Sequence, residues 1–219
     1  MTPVCRLRKV AAAALLIYAL QAEVLDRVAV TVGRHVITQS EIIEQIRVAA
    51  FLNDEEPDLS AAGRKKASER LVEQTLIRTE MALSRYPEPS PAAVEKTLAE
   101  VKRVRQLSDA AFAGMLARHK LTEEVLRRNL ANQLMILLFI DYRFRPSVAV
   151  PNQDVEKYYR ESFVPEWKKS NSQDPPELDE VWDGLMEKLR DQRTDEALEE
   201  WLREARKTTR VTWVKEAFQ

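Results

Sequence analysis

Glycine is scarce, at 4 of 219 residues, and there is one cysteine and two histidines. Few glycines exclude phosphate-cradling loops of the Rossmann or P-loop kind, which need several at fixed spacing. They also disfavour a sheet-rich fold with many tight turns. A single thiol, Cys5, excludes a disulfide within the chain, so the core must hold the fold by itself. The two histidines, His35 and His119, stand far apart and have no metal-ligand spacing. No serine lies in a nucleophile-elbow pattern. Charge of one sign is missing as well: 34 Lys+Arg against 35 Asp+Glu leaves no basic excess for a nucleic-acid partner. No catalytic, cofactor-binding or metal-binding residue is therefore expected, and no nucleic acid among the partners.

What is abundant are helix formers, with 45% hydrophobic and 32% charged residues, the proportions of a globular protein. Residues 1–22 read as a secretory signal peptide. Arg6, Arg8 and Lys9 precede the apolar run Val10–Leu20, and Ala22 offers a small residue for cleavage. The run is short for a membrane span, which needs about 20 apolar residues. An uncleaved anchor is the rival reading. Cys5 precedes the run and so cannot carry a lipoprotein's lipid. The expected destination is the periplasm, with no membrane span after cleavage.

From Asp26 to Thr38 valines alternate with smaller residues around Gly33-Arg34, the pattern of a hairpin. Thr38 and Glu41 form a capping box that opens a helix to about Leu52. Further helices are expected over about 61–85, from Pro91, after the cap Ser108, and from Thr122 to about Arg145. In the second, Leu71, Val72, Leu76, Thr79, Ala82 and Leu83 form one apolar stripe. The helix after Thr122 is apolar nearly all round in its second half, as a central bundle helix would be. Pro151-Asn152 opens another helix, residues 163–176 have a linker's composition, and a long helix covers about 178–207. Val211–Val214 is a last short strand. An isolated hairpin is marginal in water, as is a lone strand, and pairing the two solves both problems. The expected fold is mainly α: about six to seven helices in a bundle, with a small sheet joining the N-terminal hairpin to the C-terminal strand.

With no catalytic constellation, binding is the remaining reading. Phe51, Phe112, Met115, Tyr159, Phe163 and Trp167 lie off the regular stripes and are candidate contacts for unfolded polypeptide, since flat aromatics and flexible Met accept many sequences.

The order of these parts resembles a known family. Val24 to Thr38 followed by Ser40-Glu41, then Leu71 to Arg78 with Leu71, Val72, Leu76 and Ile77 matching, are similar to the opening of the SurA-like periplasmic chaperones. So are Phe112 to Asn132, Val150-Pro151 to Tyr158-Tyr159, and Ala197 to Leu202 through Val211–Val214. In that family N- and C-terminal segments build one helical chaperone domain, with parvulin prolyl isomerase domains inserted between them. The resemblance implies a core of residues 23–162 completed by 177–219. Residues 163–176 then stand where the insertion would be, too few for a domain of that kind. It implies ATP-independent holding of unfolded outer-membrane or secreted polypeptides, without isomerase activity. Two rivals remain open, an exported helical module with one dedicated partner and a minimal prolyl isomerase.

Overall fold

The computed structural model describes residues 26–218, so the signal-peptide and anchor readings lie outside the described residues. The hairpin is strands β1 (Val28–Val32) and β2 (His35–Thr38), joined at Gly33-Arg34. Gly33 has φ +57°, the left-handed region that a β-carbon disfavours. Strand β3 (Val211–Trp213) pairs antiparallel with β1, giving the order β2-β1-β3, so the two ends of the chain close one sheet as expected. Backbone bonds from Gly33 N–H to Arg210 O and from Val214 N–H to Ala29 O fasten both ends of that pairing.

Among the described residues seven helices follow if one composite rod is counted once. They are α1 (Gln39–Asn53), α2 (Ala61–Ser84), α3 (Pro91–Val104), α4 (Asp109–Arg118) and α5 (Glu123–Arg143), then the rod and α8 (Leu178–Thr208). The rod is α6 (Asn152–Tyr158), a π-helical turn (Tyr159–Phe163) and α7 (Val164–Ser170). Local chemistry sets the starts. Thr38, Ser60, Ser90, Ser108 and Thr122 each accept a hydrogen bond from the amide three residues on, and Thr38 with Glu41 completes the capping box. Asp26 accepts from both the amide and the hydroxyl of Ser40, tying the entry of the first strand to the start of α1.

Among the described residues three apolar clusters hold the helices. One lies under the sheet and joins Val30, Val32 and Ile37 to Ile42 and Ile46 of α1, Val72 and Leu76 of α2 and the end of α8. A second gathers Val48 and Phe51 of α1 with α3, α4 and the first half of α5. The third joins Ile77 and Met81 of α2 to Phe139 and Phe144, with Trp201 of α8 against them. Beyond Phe144 the core thins. From residue 145 to 194 only Val155, Leu185 and Thr194 are buried among the described residues. Charge fastens this part: Arg145 bridges to Asp141, Glu187 and Asp191, and Arg193 reaches Asp154 and the carbonyl of Ala149.

The structure departs from the sequence reading in three places. Residues 164–170 are helical rather than linker, and the irregular stretch shrinks to the segment between α7 and α8. Pro165 is accommodated because it falls at the first turn of α7 after a π turn in which Val164 N–H bonds to Tyr159 O, five residues back. The second half of α5 is not enclosed: Leu137 is 56% exposed and Tyr142 is exposed too, since α5 contacts α1, α2 and α3 on part of its circumference only. Leu83, expected in the buried stripe of α2, is 76% exposed. The stripe turns into the third cluster at Ile77 and Met81, and Leu83 points away from that direction.

Candidate functional site: an apolar groove beside the hairpin

The six candidate contacts separate into a core pair, a lone Met and an aromatic ladder. Phe51 and Phe112 are 1% exposed and pack edge to face, ring centroids 5.7 Å apart. Arg105 lies over Phe51 and donates to the carbonyls of Phe51 and Leu52 at 2.6 and 3.1 Å, closing the end of α1. This corrects the expectation for both aromatics: they are interior side chains and present no surface to a bound chain. A charge at Phe112 would unfold the second cluster instead of testing binding. Met115 is half-buried against the same cluster, its sulfur 3.3 Å from Arg105 Nη1.

Tyr159, Phe163 and Trp167 sit four residues apart on one side of the rod. Tyr159 and Phe163 stack at 5.7 Å, and Phe163 and Trp167 tilt together at 5.8 Å. Their polar tips are satisfied by the segment that follows: Tyr159 Oη donates to Pro176 O and Trp167 Nε1 to Gln173 O, at 2.8 and 3.1 Å. The structure brings these three together, half-buried, with residues 173–176 tied to the outer two. Their first effect is to fold the arm formed by the rod and α8.

An apolar opening lies elsewhere. A groove of about 530 Å³ runs between the hairpin turn, α2 and the last turns of α8. Its walls are apolar: Val32 from β1, Leu76 and Leu83 from α2, Trp201 and Ala205 from α8. Trp201 is held by Phe139, centroids 5.0 Å apart, and by Phe144, with the Arg143 guanidinium 5.6 Å from its ring. The rim carries both signs. Arg34 and His35 stand on the hairpin side, and Glu80 and Glu204 on the helices. Those two carboxylates are engaged by Arg143 and Lys207 at 3.0 and 2.6 Å. The sequence reading places Leu83 in the buried stripe of α2 and so does not find this groove. The signal available was Leu83 itself, an apolar residue at the last turn of α2 beyond the region where the stripe is closed.

On the far side of α2 lies a second, polar trench of about 200 Å³. It runs between the outer edge of β2 and α5, floored by α1 and α2, and His35 lines both openings. The α2–α8 seam below the groove is crossed by Glu73 and Arg206 at 2.6 Å. Burial pushes the Glu73 carboxyl above the ordinary carboxylate range, against the pull of Arg206. The folded state therefore holds that proton more tightly than the unfolded chain. Stability contributed here falls as pH rises from the ordinary carboxylate range through the raised value. Urea midpoints across that window should decline in the wild type relative to Glu73→Gln. Parallel pH profiles would assign the dependence to other groups.

Among the described residues no group of three or more His, Cys, Asp or Glu could hold a metal ion, and no helix is long and apolar enough to cross a membrane. No family model matches the sequence, and no curated protein is similar to it.

Proposed function

We propose that this protein is an exported, ATP-independent holdase for unfolded polypeptides, of the SurA-like kind without the isomerase domain. The observation that supports it most is the groove: open, apolar in its walls, charged with both signs at its rim, and bordered by the 76%-exposed Leu83. A large apolar side chain exposed beside an apolar concavity suits transient contact with other chains. Burying two large client side chains there would gain on the order of 3–6 kcal/mol. The cost of ordering a flexible chain offsets much of that, leaving weak and quickly reversible binding. A holdase needs such binding, since a client must leave to fold. The mixed rim places no demand on one client charge, which fits clients of varied sequence.

The test is light scattering as a urea-unfolded outer-membrane protein is diluted into buffer with the purified protein. Near-stoichiometric amounts should suppress aggregation, and Leu83→Glu should lose at least half of that effect while keeping its helical circular dichroism. Phe163→Glu asks whether the ladder contributes as a second contact. No suppression by the folded wild-type protein would overturn the proposal and direct attention to a single dedicated partner.

A further inference from the structure

We infer that the polar trench between β2 and α5 binds a carboxylate of the polypeptide whose apolar side chains occupy the groove, an inference that rests on the holdase reading. The trench and groove flank α2 and meet at His35. Inside the trench most charges are already committed. Glu41 accepts the Thr38 amide at 2.8 Å in the capping box, and Glu44 is paired with Arg128 through two contacts of 2.6 and 2.7 Å. Arg78 differs. It is exposed, its nearest polar contact is Asn132 Oδ1 at 3.4 Å, and among the described residues no carboxylate lies within ion-pair distance of it. A guanidinium presents a flat fork of donors that a carboxylate matches with two parallel bonds.

The walls suit an extended peptide better than a free anion. Gln74 and Asn132 offer side-chain amides, which can both donate to and accept from a peptide backbone. The opposite wall is the sheet edge. In the register Val32↔His35, Thr31↔Val36, Val30↔Ile37, the residues beside Val36 bond inward to β1, so the peptide groups of Val36 turn outward to the trench. One such outward residue can align a strand end without adding a long strand. A chain leaving the groove past His35 thus meets, in turn, a backbone edge, amides and an uncommitted cation. A chain terminus and an Asp or Glu side chain present the same carboxylate chemistry, and the experiment separates them.

The full purified protein is titrated against a short fluorescein-labelled peptide alternating Leu and Thr, prepared as the free acid, as the C-terminal amide, and as the amide with Glu at its penultimate position. Anisotropy should show the free acid binding about three- to tenfold more tightly than the amide. Added salt should shrink that advantage. Arg78→Gln should bring the acid to the level of the amide and leave the amide unchanged. Leu83→Glu should weaken both alike. If the Glu-bearing amide recovers the affinity, side chains serve as well as termini; if not, the site reads the terminus, and either result supports the inference. Equal binding of acid and amide by the wild type overturns it while the holdase reading stands. An equal loss of both on Arg78→Gln does the same. Failure of every peptide to bind removes the holdase reading as well.

Discussion

Phe139→Ala is expected to lower the unfolding free energy by about 3–5 kcal/mol, the usual cost of emptying a buried aromatic site. Phe139 is fully buried and touches ring partners from three directions: Tyr86 after α2, Phe144 after α5 and Trp201 of α8, all at 5.0–5.8 Å. Those contacts come from long helices that cross at this point, so the cavity cannot close without moving one of them. Against a typical stability of 5–15 kcal/mol the loss is a large fraction of the whole. Urea unfolding followed by circular dichroism measures it. Leu137→Ala, two residues away and 56% exposed, should change the midpoint little. A Phe139→Ala shift as small as that of Leu137→Ala would show that the third cluster does not bind α2, α5 and α8 together. The same variant should weaken the proposed client holding, because Trp201, a wall of the groove, rests on Phe139.

Ending the chain after Arg210 should be comparably severe. The lost segment carries β3 and the short 3₁₀ turn Lys215–Phe218, whose Ala217 is buried and whose Val211, Trp213, Val214 and Phe218 pack against the first cluster. It also removes the cation–π contact in which Lys65 sits 3.0 Å from the Trp213 ring. Partial burial of four large side chains corresponds to about 5 kcal/mol. The removal leaves β1 with one partner, and a two-stranded hairpin is marginal by itself. The truncated protein should show an early, separate loss of structure by hydrogen exchange in residues 28–38, with α3 and α4 still protected by the second cluster. Uniform protection of the hairpin would mean that the joined ends are incidental to stability.

The helix starts, the hairpin and the closure of the sheet were legible in the residues. Each depends on interactions that span a few positions. Thr38, Ser60, Ser90, Ser108 and Thr122 satisfy amides three residues away. Gly33 supplies the positive φ of a two-residue turn, and Pro91 opens α3. The partner of β3 could be named because a lone strand must find a hairpin and the chain has one.

The candidate surface was decided by tertiary packing. An apolar residue on a helix states that some neighbour is favoured, without stating which neighbour arrives. Phe51 and Phe112 seemed free of the stripes and became each other's core partners, because α1 and α4 meet there. Leu83 matched a buried stripe and instead borders the groove, because the hairpin turn stops short of covering α2. Tyr159, Phe163 and Trp167 come together on one side of the rod, and the bonds of Tyr159 and Trp167 to residues 173–176 needed the chain to reverse between α7 and α8. Arg78 gave no sign at all in the sequence. Its uncommitted charge exists only because Arg128 takes Glu44 across the trench and Glu41 turns back to cap its own helix. Local chemistry determined where the elements of this protein begin and end, while long-range contact determined which side chains were left uncovered.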